Sequence, residues 1–243
     1  MALEWRADTL RLTIFSNGPI KLTDADWKTI TGQDMSDNRQ IVPGGIVLSG
    51  RFENHRLQVV SVGGRLDAIL TAAGAAGAEE PAWSTLGPAD EWLKKLLNLT
   101  AAWRDSTHFP IVRIALAGSF IIPTSSQIES LSILKERLYS VKIDDQMREF
   151  QFRVNRPTPS TVVPNFVINR LVTWTALQLV VALIPIAPNT PSVPSTTLEA
   201  ARIEIDMNTD PNRQEPIDRE AVSVLLDELR KFASDSLVHG EKP

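Results

Sequence analysis

The chain contains no cysteine, which excludes disulfides, thiolate metal centres and cysteine nucleophiles and fits a reducing compartment such as the cytoplasm. Histidine is scarce as well. His55, His108 and His239 fall at a turn, in a helix–strand connection and in the tail, so a shared imidazole site would need three distant segments to converge. Neither sign of charge dominates: 25 basic against 29 acidic residues give a net charge of -4, with no whole-chain attraction for nucleic acid. No basic-then-apolar leader occupies residues 1–8, so secretion is not expected. A glycine-rich phosphate loop is missing too. Gly44 and Gly45 precede no helical pattern, and the stretch 74–77 lacks the lysine and hydroxyl of a nucleotide loop. Ser119, Ser125 and Ser126 lie near a helix start, where serine serves as a cap, and no strand–elbow motif surrounds them.

What the chain does have is length and apolar content. Its 243 residues, 43% of them hydrophobic, suffice for a core that needs neither metal nor disulfide. The densest apolar stretch, 165–186, approaches the length of a membrane span. Arg170, Thr173, Thr175 and Gln178 interrupt it and Pro185 closes it, so it reads as a central strand or strand pair buried on both faces, with no membrane association.

Around that stretch the pattern alternates between strand and helix. Residues 9–15 place Leu10, Leu12 and Ile14 on one face and Arg11 and Thr13 on the other, the period of a half-buried strand. Thr23 with Asp26 starts a short helix that Leu22 and Trp27 staple. A polar loop follows. Three β-type runs, 46–52, 57–62 and 65–70, are then separated by Asn54-His55 and Gly63-Gly64 and predict an antiparallel meander. Residues 72–85 read as a connector. Pro88, Asp90 and Glu91 then open an amphipathic helix carrying Trp92, Leu93, Leu96, Leu97 and Trp103 on one side.

The second half repeats the order. A strand at 111–116 leads to a capping box of Ser126 with Glu129 and a helix lined by Ile128, Leu131, Leu134 and Leu138. Alternating strands follow at 149–154 and 198–207, with a proline-rich loop at 185–194 before the latter. In the last strand Ala201, Ile203, Ile205 and Met207 share one face, and Arg202, Glu204 and Asp206 share the other. A long helix from about Asp218 ends the chain, with Gly240 as its stop. The expected class is therefore α+β, antiparallel sheets covered by helices, in two pseudo-repeated β-α-β(3-4)-α halves, 1–106 and 107–243. Whether the halves form two lobes or one fused domain stays open in the sequence.

The runs from Arg153 to Arg156 (RVNR), Ile168 to Leu171 (INRL) and Ile203 to Asp206 (IEID), followed by a terminal helix with a late phenylalanine, resemble a sporadically distributed family of uncharacterised bacterial proteins. The resemblance covers the C-terminal part alone. It implies no activity, since that family has no assigned catalytic residues.

Two clusters attract attention as sites. Glu204 and Asp206, with Asp67 or Glu199, are the carboxylates from which a hard-cation site would be built, but alternate charges also mark the solvated side of a strand, and no metal is expected. Arg153, Asn155, Arg156, Asn169 and Arg170 form the one concentrated polar cluster on expected strands, suited either to an acidic partner or phosphate backbone or to bonding buried acceptors within the sheet. With no coherent catalytic constellation and no cofactor signature, the sequence leads to a non-catalytic interaction or regulatory subunit of a bacterial assembly. Its expected partner is a protein, a second copy of the chain included. A nucleic-acid or small-ligand binding module is the alternative, and a metal-dependent enzyme comes last.

Overall fold

A computed structural model describes residues 4–74, 82–181 and 196–241. The proline-rich loop expected at 185–194 and part of the connector at 72–85 lie outside these residues. In chain order the elements are β1 (Arg6–Ser16), α1 (Asp24–Thr31), β2 (Asn38–Val42), β3 (Gly45–Phe52), β4 (His55–Val62), β5 (Arg65–Thr71), β6 (Gly87–Pro88) and α2 (Ala89–Ser106). They continue with β7 (Ile111–Thr124), α3 (Gln127–Lys135), β8 (Gln151–Asn155), β9 (Thr158–Pro159), β10 (Val167–Val181), β11 (Thr196–Thr209) and α4 (Arg219–His239). Together they make an antiparallel, sheet-rich α+β fold. Among the described residues no helix is long and apolar enough to cross a membrane.

All the strands belong to one sheet, in the order β2-β3-β4-β5-β1-β7-β11-β10-β8, with β6 beside β1 and β9 beside β10. Every pairing is antiparallel. The two halves meet where β1 pairs β7, with Leu10 opposite Gly118, Leu12 opposite Leu116 and Ile14 opposite Ile114. Because opposed residues point the same way, this register stacks Leu12, Ala68, Leu116 and Met207 into one apolar row across four strands. All four are buried.

The four helices cover that apolar face. Trp27 of α1 lies against Gly50 of β3, where a Cβ would meet the indole ring at 2.8 Å, so only glycine admits this contact. Trp92 of α2 stacks edge-on against His55 of β4. Ser130 of α3 shares a hydrogen bond with Thr124 of β7, and Phe232 of α4 lies under the Arg170 guanidinium of β10. Each contact is on the side that bears Leu10, Leu12 and Ile14. The helix starts follow local chemistry. Thr23 and Asp26 form the expected capping box on α1, and the Trp103 indole of α2 donates to the same Asp26 carboxylate at 2.8 Å. At α3 the box is shifted by one residue: the Ser126 hydroxyl accepts from the Glu129 N–H, while the Glu129 carboxylate receives the N–H and hydroxyl of Ser125.

Four expectations need correction. Ile128, expected to line the apolar side of α3 with Leu131 and Leu134, is exposed, and Ile133 is buried in its stead. The run 38–42, read as polar loop, is the edge strand β2; its exposed residues give no alternation, and pairing with β3 alone orders it. The turn before β4 is Glu53-Asn54 with Glu53 at φ 52°, one residue earlier than expected. The stretch 165–186 is not the centre of the sheet: its described part is the single strand β10, next to the β8 edge, and beyond Ala176 only β11 lies beside it among the described residues. Leu179 and Val180 are exposed there. Apolar density in a strand does not set its position in the sheet. The centre is β1 and β7, most of whose large apolar side chains point to the helix side.

Leu116→Ala should cost about 3 kcal/mol by opening a cavity in the central row, whereas Ile128→Ala, on the exposed side of α3, should cost under about 1 kcal/mol. Urea unfolding of both variants checks the contrast.

Candidate functional site

The helix contacts described above all fall on one face of the sheet, and the opposite face mixes charged and polar side chains with apolar ones such as Phe15, Ile69, Ile121 and Leu171. On β1 it shows Thr9, Arg11, Thr13 and Phe15; on β5, Arg65, Asp67 and Ile69; on β7, Arg113, Ala115, Ala117 and Ser119. On β11 it shows Arg202, Glu204, Asp206 and Asn208. The central strand β7 therefore presents small side chains between two charged neighbours. A groove of about 550 Å³ runs there, floored by Ala117, Gly118 and Ser119 and walled by Asp8, Arg11, Arg202, Glu204 and Asp206.

The charges along the groove are unequally satisfied. Asp67 is buried and well held: it accepts the Thr13 hydroxyl at 2.6 Å and binds Arg65 through Nε at 2.7 Å and Nη2 at 2.9 Å. Arg11 approaches the same carboxylate only to 3.9 Å, with its side chain 40% exposed. Arg202 pairs with Glu204 at 3.2 Å, and Asp206 accepts the Asn208 amide at 2.9 Å. Asp206 is in no ion pair among the described residues. Burial raises the Asp8 carboxyl above the ordinary aspartate range, opposed by the charge of Arg202 and by Ser119. At the end of this face Arg113 lies over the Phe15 ring at 4.7 Å and Arg65 lies 5.6 Å from its centre. Burial lowers the pKa of Arg113, with Asp206 acting against it.

The sequence-selected cluster is divided by the sheet. Arg153 and Asn155 of β8 sit opposite Thr173 and Leu171 and so belong to the bare face, as does Asn169, which donates to Asn208 at 3.3 Å. Arg156 and Arg170 are on the helix side. There the Arg156 main-chain N–H donates to the Arg170 carbonyl, and the Arg156 guanidinium binds the buried Glu241 carboxylate at 2.6 Å. The Arg170 guanidinium lies 4.6 Å above the Phe232 ring. Its pKa is lowered by burial first, with Asp235 opposing and Arg156 adding to the shift. Both arginines line a small hollow with Ser236 and Gly240, near the end of α4.

The carboxylate cluster is not assembled for a cation. Asp67 is committed to Arg65 and Thr13, and Glu199 points to the helix side, where Gln178 binds it. No group of three metal-binding residues occurs among the described residues. The three histidines sit on separate elements: His55 opens β4, His108 lies between α2 and β7, and His239 ends α4. Burial lowers the pKa of His55, in contact with Trp92.

Arg11, Arg65 and Asp8 were not singled out by the sequence as site residues, and Ser119, read there as a serine near a helix start, lies instead within β7. Their local signal was the polar phase of alternation on β1, β5 and β7; their juxtaposition with Glu204 and Asp206 comes from pairings of β1 with β7 and of β7 with β11, which alternation does not encode. No family model matches the chain, and no curated protein matches it.

Two outcomes follow for this face. Asp67→Ala leaves the Thr13 hydroxyl without its acceptor and Arg65 without its anion, and should cost about 2–4 kcal/mol in chemical unfolding. Asp8→Asn should stabilise the protein at neutral pH. The folded carboxyl has the raised pKa, so folding penalises the ionised group above that pKa, and the advantage of asparagine should shrink as pH falls through the carboxylate range. Thermal melts from neutral to acid pH read this sign.

Proposed function

We propose that the chain is a non-catalytic interaction or regulatory subunit of a macromolecular assembly that binds a protein partner through the bare face of its sheet. The observation that carries the reading is the one-sided helix layer. A sheet of this breadth ordinarily buries both faces or solvates one with scattered polar residues. Here the uncovered face has a groove over a floor of small residues, with Arg11 and Asp206 short of full ionic partners. The near balance of arginine and carboxylate on that face suits a polypeptide surface, which carries both signs, better than a uniformly anionic polymer. Arg153 and Asn155 extend the same face toward the β8 edge. Arg156 and Arg170 have a supporting role in this reading, tying β8, β10 and the end of α4 together.

We also read the fold as two pseudo-repeated halves, 1–106 and 107–243. Outward from the central pair, β1-β5-β4-β3 and β7-β11-β10-β8 follow the same chain logic, and a short helix and a long helix come at matching places in each half. The strand β2 has no counterpart. Superposing β1 through α2 on β7 through α4 tests this reading, which ends if α1 and α3 fall at unrelated positions.

Ala117→Trp fills the groove at its floor without touching the helix side. Co-purification of the tagged full chain from its host should lose its partner in this variant while the melting temperature holds. Unchanged co-purification would overturn the bare face as the binding surface. Arg156→Ala should behave in the opposite way, retaining the partner but losing about 1–3 kcal/mol of stability as the buried Glu241 carboxylate loses its cation and, among the described residues, keeps the Ser140 hydroxyl.

A further inference from the structure

We infer that the hollow lined by Arg51 and Arg56, on the β3–β4 flank of the sheet, is a site for a phosphate group. It is separate from the groove over β7 and does not depend on what that groove binds. The strand register carries the inference. Arg51 of β3 stands directly opposite Arg56 of β4. The main-chain N–H of Arg51 donates to the Asp37 carboxylate at 2.9 Å, and its carbonyl accepts from the Gln33 side-chain amide at 3.0 Å, so both groups turn away from β4. The two arginines are therefore a pair of the closer kind, with no main-chain hydrogen bonds between them and Cβ atoms about 4.5–5.5 Å apart. Like charges so placed repel each other and weaken the ladder.

Among the described residues nothing answers the two charges. Neither guanidinium has a hydrogen bond or a carboxylate within 4.0 Å, whereas Arg11, Arg65 and Arg202 on the same face each have a carboxylate inside that limit. The side chains beside the pair on this face, Ser49, Gln58 and Thr71, are uncharged. Both arginines are exposed and line a hollow of about 340 Å³ together with Ser49 and Asn54. Asp37 is the carboxylate that lines it, and one of its oxygens is taken by the Arg51 main chain. The chemistry of the donors selects the ligand. A carboxylate brings one charge and two oxygens, which a single guanidinium fork fills. A phosphate brings nearly two charges at neutral pH and three terminal oxygens, and so engages two forks at once. The volume is at the small end of the range for ligand pockets, enough for a phosphate and a short ester group.

Titration calorimetry of the full-length chain with inorganic phosphate, against sodium chloride at matched ionic strength, tests the inference. Wild type should bind one phosphate with a Kd of about 1 mM or below, and chloride should give no saturable heat. Arg56→Gln and Arg51→Glu should each weaken phosphate at least about tenfold. Arg51→Glu also replaces a repulsive cross-strand pair by an attractive one, so in phosphate-free buffer its melting temperature should rise by about 1–3 °C. Lost binding in a chain that melts higher cannot come from a folding defect. O-phosphoserine in place of the free ion separates the two sources of the group: tighter binding of the ester points to a phosphorylated ligand, and equal affinity to the ion itself. A wild type that does not distinguish phosphate from chloride overturns the inference. So does phosphate binding that survives both substitutions, and so does an Arg51→Glu chain that melts lower than wild type, because Arg51 would then serve the fold.

Discussion

The antiparallel pairing of β1 with β7 is the contact on which the rest of the molecule depends. Among the described residues it is the one ladder that joins strands from the two halves of the chain, and it runs from Arg6 opposite Ile121 to Ser16 opposite Ile111. Leu10, Leu12 and Ile14 on one strand and Ile114, Leu116 and Phe120 on the other form the middle of the core beneath the helices. Gly118 belongs to the same device: a Cβ there would meet Leu10 at 2.7 Å and the Phe120 ring at 2.8 Å, so its absence allows the two side chains to close over the strand. Long-range strand pairing of this sort is expensive in chain entropy and forms only because a continuous apolar row reinforces it.

The same ladder fixes the character of the opposite face. Side chains alternate along a strand, so a register that sends large apolar groups to the helices sends their neighbours to the uncovered side. In the middle of β7 those neighbours are Ala115, Ala117 and Ser119, flanked by Arg113 and Ile121, and on β1, β5 and β11 they include Arg11, Arg65, Asp67, Arg202, Glu204 and Asp206. A face of this composition is neither a hydrophobic core awaiting a second layer nor a random solvated surface. It has a shallow channel, one buried and fully engaged aspartate, and charges of both signs beside it that the chain itself leaves partly unanswered. Buried polar groups elsewhere are committed to architecture. Glu228, for example, accepts from the Ser160 hydroxyl and from both the N–H and the hydroxyl of Thr161, and so pins the loop before β10 to α4.

Much of the fold was legible locally. The alternation in 9–15 and 198–207, the Thr23 cap, the Gly63-Gly64 turn and the amphipathic terminal helix all describe interactions within a few residues of one another. The edge strand β2 was illegible because its order comes from β3 and its own sequence has no apolar phase. The stretch 165–186 misled because hydrophobicity was read as position, when β10 lies one strand from an edge. The site was the least legible part. Glu204 and Asp206 were visible as one face of a strand and the Asn-Arg pairs as a cluster, but strand pairing decides that Asp206 shares a row with Arg11 and that Arg170, not Asn169, faces the helices. No spacing along the chain contains that information.

The central claim is that the uncovered face of the sheet is the surface through which this protein works. Carboxyl-group footprinting of the chain, alone at dilution and in its native assembly, measures this directly. The account predicts that Asp8, Glu204 and Asp206 lose reactivity on assembly while the exposed acids of the helix layer, such as Glu136 and Glu220, keep theirs. Protection confined to the helix layer, with the three acids of the groove equally reactive in both states, would contradict it.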